Sequence, residues 1–329
     1  MAVNDEREAR MLLTALSEPG DLVTGTLLAR VGAIETVQLI TSGERLPNGL
    51  DPVEGELWRR RLATRIDPGQ VDRMLAATER HSLSFLTPED VTWPGELQQL
   101  GASAPIALWL QGDPRPLSVR LPGRVTIVGA REATAYGTRV VTELASELAS
   151  RGRTVLSGGA DGIDGFAHRA ATEADPGSTI AVLACGLDQL HPAGPAHLFE
   201  HIEQTGGLLV SELPPGSAPS RWRLVQRNRL LATLSAATVV VEADAQSGSL
   251  NVAGQAHALR RPVGAVPGPV TSAATAGCHR LIQEGIASLI IDAQDVTDLL
   301  DSAVGFAGDR TFTYSPTRRI SRTGADLRF

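Results

Sequence analysis

The chain has 329 residues, 42% hydrophobic and 20% charged, enough for about two domains and a substantial core. Its net charge of −7 argues against a generally basic nucleic-acid binder. Its two cysteines, Cys185 and Cys278, are too few and too far apart for a disulfide framework or a zinc site.

Both cysteines read as small core hydrophobes. The N-terminal Asp5, Glu6, Arg7 and Glu8 do not open a secretory signal, and no unbroken apolar run is long enough to span a bilayer. A cytoplasmic protein with no membrane partner is expected. All 30 basic residues are arginine. Residues 221–261 hold six Arg against two acidic residues, and residues 310–329 hold five against one. A local patch, not the total, sets a binding field, and the arginine fork matches phosphate oxygens.

In chain order, residues 1–80 place Leu12, Leu13, Leu16, then Leu22, Leu27, Leu28, Val31, and later Leu57, Leu62, Met74, Leu75 at roughly helical spacing. Gly32 and Gly43 mark helix ends, and Pro47 and Pro52 punctuate a loop. A small all-helical domain is expected. Residues 81–120, with Pro88, Pro94, Pro105, Pro114 and Pro116, read as a connector packed on the body that follows.

From 121 to 301 short apolar runs alternate with helical segments. The runs are Val125–Val128, Thr154–Leu156, Ile180–Ala184, Leu208–Val210, Thr238–Val241, Val263–Val266 and Leu289–Ile291. Helices are expected over Thr138–Ser150, Arg221–Ser235 and Ser249–Leu259. Strands apolar on both faces and alternating with helices indicate a mostly parallel sheet covered on both sides. The fold class is therefore α/β, an extended Rossmann-like, doubly wound domain. Residues 302–329 read as a basic, disordered tail.

In such sheets ligands bind outside the carboxyl ends of the strands. After the first run comes Gly129-Ala130-Arg131, which is not a G-x-G-x-x-G turn. An Arg before a helix start reads as a phosphate clamp, the alternative being a surface salt bridge. After the second run comes Ser157-Gly158-Gly159-Ala160-Asp161-Gly162. Glycine this dense implies tight turning or close approach. Asp161 reads as an N-cap with Asp164 three residues on, as in a capping box. His168 follows Asp164 by four, on the same helix face. An acid/base pair is one reading; capping with a helical Asp–His contact is the preferred one.

Asp188 with His191 lacks further ligands for a metal site. Asn228, on the stripe of Leu224 and Leu231, is expected inside, tying backbone groups near the strand ends, with Arg227 and Arg229 beside it. Ser247-Gly248-Ser249 opens a helix and reads either as an anion nest or as ordinary capping. No catalytic triad, paired carboxylates, metal site or cofactor motif emerges. A polar set of Arg, Gly, Ser and Asn suits gripping phosphates.

The segments "VGAREATAYG" (128–137), "SGGADGIDGFAH" (157–168), "AVLACGLDQLHP" (181–192), "SELPPG" (211–216), "RNRLLATLS" (227–235), "VVVEA" (239–243), "SGSL" (247–250) and "AVPG" (265–268) follow one another in register. Together they resemble the DNA-processing protein A (DprA/Smf) family, over roughly residues 100–300. The resemblance implies a Rossmann-like domain that binds single-stranded DNA, forms homodimers, protects incoming strands in natural transformation and helps load the RecA recombinase. The variable N-terminal domain of the family, helical and of SAM or helix-hairpin-helix type, suits residues 1–80. Carried onto this chain, it implies DNA contacts at Gly129, Arg131, Ser157, Gly158, Gly159, Gly162, Arg227, Arg229, Ser247, Gly248 and Ser249. Asp161, Asp164, His168 and Asn228 would brace the pocket.

Three positions depart from the family pattern. His191 stands where Tyr is usual, Ala193 where a basic residue is common, and His279 where Asn is usual, which puts the hydrogen bonding of the last of these loops in question. A short tail, and no winged helix, is expected after 301. The reading that follows is a non-enzymatic binder of single-stranded DNA. The alternative is a nucleoside monophosphate phosphoribohydrolase-like enzyme, suggested by the Gly-rich loops and Glu242, although the P-G-G-x-G-T-x-x-E pattern of such enzymes is missing. A purely structural scaffold fits less well with so many Gly and Arg at strand ends.

Overall fold

The computed structural model describes residues 5–190 and 196–305. His191, Ala193 and most of the expected tail lie outside the described residues. Four helices come first: α1 (Glu6–Leu16), α2 (Leu22–Thr41), α3 (Pro52–Ala63) and α4 (Gln70–Arg80). Asp5, Asp21 and Asp51 each cap the helix that follows by accepting from its first-turn N–H groups.

α2 is 20 residues long and, by length and composition, apolar enough to cross a membrane, although polar residues interrupt it. Gly32 breaks it, with φ 79°, into two pieces each too short to span hydrocarbon. Glu6 accepts from the freed Ala33 N–H at 2.5 Å. Leu27, Ala33, Val37, Leu39 and Ile40 of α2 then join Leu12, Leu13, Leu16, Trp58 and Leu62 in one buried cluster, so a local core accounts for its apolar content.

Two strands follow, β1 (Ser84–Leu86) and β2 (Leu108–Gly112), then a short helix α5 (Arg115–Ser118). The sequence pattern showed no strands here, because β1 is three residues long and Pro-rich turns surround both. The alternating part comprises β3 (Arg124–Val128), α6 (Ala135–Ser150), β4 (Thr154–Ser157), α7 (Ile163–Ala174), β5 (Thr179–Leu183), α8 (Ala196–Gln204), β6 (Leu208–Ser211), α9 (Arg221–Thr233), β7 (Ala237–Val240), α10 (Ser249–Ala258), β8 (Val263–Ala265), α11 (Ala276–Gln283), β9 (Ser288–Leu289) and α12 (Ala293–Gly305). Six of the seven expected runs coincide with strands; the seventh, Leu289–Ile291, overlaps β9 only at Leu289. α12 carries helix past 301, where the sequence reading began its tail.

The nine strands form one sheet in the order β1-β2-β6-β5-β4-β3-β7-β8-β9. From β6 to β9 all neighbours pair in parallel; β1 and β2 add an antiparallel edge. The sheet alternates sides as its pleat requires. Val128, Leu156, Ile180, Val182, Val210 and Val240 pack under α9, α10 and α11. Val125, Ile127, Val155, Val239 and Val241 pack under α6, α7 and α12. Helices cover both faces, as the doubly wound reading requires.

Candidate functional site

All the parallel strands end on one rim. The chain leaves β3 toward β4 on one side and returns to β7 on the other, so the crevice between the β3 and β7 ends is the topological switch point. The loops after β3, β4 and β7 meet there.

After β3, Gly129 is half-buried and Arg131 is exposed. Among the described residues the Arg131 guanidinium makes no hydrogen bond or ion pair, so the salt-bridge alternative is not taken up. Thr134 caps α6, its hydroxyl accepting from Gly137 N–H at 3.1 Å. The buried Glu242, just past β7, holds Thr134 in turn. Its carboxylate accepts from the Thr134 backbone at 3.0 Å and the hydroxyl at 2.6 Å. One side chain thus ties the two banks of the crevice.

After β4 the opening glycines bring backbone and side chains together. A Cβ on Gly158 would lie 2.6 Å from Arg227 Nη1 and 2.7 Å from Asp164 Oδ2. Arg227 reaches in from α9 and donates to Gly158 O at 2.6 Å and to Val182 O, so one guanidinium pins the ends of β4 and β5. Gly162 has φ +75°, and a Cβ there would collide with the carbonyls of Ala130 and Arg131. Ile163 N–H donates to Ala130 O at 3.1 Å. The loop after β4 is therefore docked directly under the loop that carries Arg131.

Several sequence expectations are corrected at this point. Ser157, Arg227 and Arg229 were placed among the DNA contacts, and all three are buried. Ser157 Oγ donates to Ile127 O at 2.6 Å. Arg229 donates both terminal nitrogens to Glu212 at 2.6 Å, and its Nε to Ser103 O at 2.8 Å. Ser157 and Arg229 are satisfied inside, because a buried charge or hydroxyl without a partner is costly; Arg227 is held through Nη1 while its Nε has no partner among the described residues. Gly158 and Gly159 are likewise buried.

Asp161 is exposed and does not cap α7; Gly162 holds that position with no side-chain cap. Asp164 folds back instead, accepting from Ala160 N–H at 3.4 Å. Burial raises its carboxyl pKa, opposed by the nearby charge of Arg227 and by the Ala160, Ser157 and Gly129 hydrogen bonds. Burial lowers Arg227, opposed by Asp164. The helical Asp164–His168 contact is not formed. His168 Nδ1 meets Thr179 Oγ1 at 2.8 Å, and that hydroxyl donates to Val155 O at 2.8 Å. The ring proton is therefore on Nδ1. Burial, with Arg227 adding to it, pushes His168 down to about 3. A fully buried neutral imidazole bracing β5 is not half of an acid/base pair.

After β7, Ser247 Oγ lies 2.8 Å from Ser249 Oγ. Ser249 is buried, so its hydroxyl serves the turn and not the rim. Gly248 is exposed and starts α10 with no side-chain cap. Asn228, buried as expected, ties α10 and not the strand ends: its Nδ2 donates to Asn251 Oδ1 at 3.1 Å. Asp188 accepts from Gly216 N–H at 2.7 Å, a loop brace. His279 keeps its loop bonded, its Nε2 lying 3.1 Å from Gly268 O.

The groups that remain accessible on the rim are Arg131, Asp161, the Gly162 turn, Ser247 and Gly248. Behind them stands a buried layer of Ser157, Asp164, His168, Arg227, Asn228, Arg229 and Glu242. Glu212 and Thr179, which the sequence reading did not single out, complete that layer. A Glu ending one strand (211–216) opposite an Arg-rich helix was the available signal for the first; nothing in the local pattern marked Thr179.

The family model for DNA recombination-mediator protein A matches residues 84–301. The chain belongs to that family. A putative DNA processing protein DprA of Mycobacterium tuberculosis is 40% identical over 310 residues, covering 90% of this chain and 76% of the relative. The solved structure of DNA processing protein A from Streptococcus pneumoniae superposes with a TM-score of 0.71 at 28% identity, over 91% of this chain and 98% of that one. The Helicobacter pylori protein, whose structure describes a single-stranded DNA binding mode, gives a TM-score of 0.59 at 29% identity over 68% of this chain and 98% of that one. The family match opens at Ser84, the first residue of β1. The segment read as a connector thus contributes its strands to the family's unit, and the recombination-mediator sheet includes the antiparallel edge.

Proposed function

We propose that this recombination mediator binds single-stranded DNA along the switch-point rim. Arg131, the Gly162 turn and the Ser247–Gly248 start of α10 meet the phosphates, and Gly129 shapes the turn that carries Arg131. The observation that carries the reading is the exposed Arg131 guanidinium, without a hydrogen-bond or ion-pair partner among the described residues, held on a loop that is itself pinned by Gly162, Ile163 and Glu242. A charged fork on a rigid support grips phosphate without reading bases. The Helicobacter pylori relative supports the ligand class.

The same reading assigns a non-enzymatic role: protecting incoming strands and loading RecA as a cytoplasmic homodimer, with residues 1–80 as a helical accessory domain. Glu242, the residue that suggested hydrolysis, has its carboxylate engaged by Thr134, and His168 is neutral and sealed. The test is oligo-dT binding across a salt series. Arg131→Ala should weaken binding and reduce the slope of log K against log salt by about 0.7. Unchanged affinity and slope would refute the site. Release of free base from nucleoside monophosphates would refute the non-enzymatic role.

A further inference from the structure

We infer that Trp222 is a base-stacking platform at the end of this DNA path, an inference that rests on the single-stranded DNA reading above. The chain is only 4% aromatic. Its described aromatics are buried or half-buried, except Trp222, which is 57% exposed. Exposing an indole of that size costs apolar burial, and no ring or cation contact within the described residues compensates it.

Its setting is a rigid one at the right edge of the molecule. α9 leaves the loop after β6 and feeds β7, so its N-terminus stands on the carboxyl rim. Ser220 caps it, its hydroxyl accepting from Arg223 N–H at 3.2 Å. Arg223 is anchored by Glu18 at 3.1 Å and by Ala218 O at 2.8 Å. Five residues on from Trp222, about 7.5 Å along the axis, Arg227 pins the ends of β4 and β5. Trp222 is thus fixed by its helix to the same frame as the phosphate rim, with the exposed Arg221 beside it. None of the accessible rim residues named above is aromatic. A sequence-neutral single-strand site needs both charge and a stacking surface, and an aromatic face serves any base.

The experiment titrates wild type and Trp222→Ala with (dT)20 and with an abasic strand of equal length, reading affinity by anisotropy and tryptophan emission. Stacking predicts quenching of wild-type emission by (dT)20 but not by the abasic strand. It also predicts that Trp222→Ala binds (dT)20 about five- to a hundredfold more weakly while binding the abasic strand as wild type does. Trp222→Phe should recover most of the loss. Equal loss on both strands, or none on either, overturns the inference while leaving the Arg131 site intact. A changed sedimentation coefficient with unchanged base dependence assigns Trp222 to a protein interface and also overturns it. Failure of wild type to bind either strand overturns both readings.

Discussion

His168 makes acid stability the sharpest test of the buried layer behind the rim. A histidine whose pKa falls from 6.5 in the unfolded chain to about 3 in the fold binds its proton only when unfolded, between those limits. Its contribution is therefore intact well above pH 6.5 and is lost progressively as pH falls toward 3. Linkage puts the cost at a few tenths of a kcal/mol at pH 7, about 2 kcal/mol at pH 5 and about 3 kcal/mol at pH 4. The raised carboxyl of Asp164 titrates with the opposite sign, favouring the fold on acidification, so the raw pH profile mixes the two. His168→Asn separates them. Its amide can still donate to Thr179, it carries no titrating ring, and it leaves a small void costing about 1 kcal/mol at pH 7. Melting temperatures at pH 7 and pH 5 give the comparison. Wild type should lose about 4–8 °C more than the variant over that interval. Equal losses in the two proteins would show that His168 is not held neutral, and the assignment of its proton to Nδ1 would fall with it.

Gly162→Ala forces a Cβ into a φ of +75° against two carbonyls; a loss of at least about 3 kcal/mol is expected, read as a urea midpoint. Gly165→Ala, inside α7 and 3.3 Å from Ala160 O, should stay within about 1 kcal/mol and serves as its control. Arg229→Met strands the Glu212 carboxylate and should cost about 3–5 kcal/mol, most of it restored by adding Glu212→Met. Per folded molecule, that double variant should bind oligo-dT as wild type does. A loss resembling that of Arg131→Ala would return Arg229 to the DNA surface.

The parallel strands from β3 to β8 were legible because their runs are largely apolar on both faces and bounded by turn residues, a pattern that a sheet covered on both sides leaves in the sequence; the exposed β9, Ser288–Leu289, has no such pattern. β1 and β2 were not legible: β1 is only three residues, Ser84–Leu86, and β2, Leu108–Gly112, is set among Pro-rich turns that mask its pattern. The site divided along a different line. Sequence located its members, because ligand loops follow strand ends and Gly, Arg and Ser cluster there. It could not rank them, because the sign of an arginine's role depends on what faces it. Arg131 and Arg229 are the same residue type beside the same rim, yet one meets solvent and the other meets Glu212, brought from a separate strand by the fold. Asp164 and His168 show the same limit: their spacing of four suggested a pair, but Thr179 and the glycine loop lie closer to their polar atoms than they do to each other. Spacing along one helix fixes which side chains share a face. Only the partner on the neighbouring strand decides whether that face holds the structure together or meets the ligand.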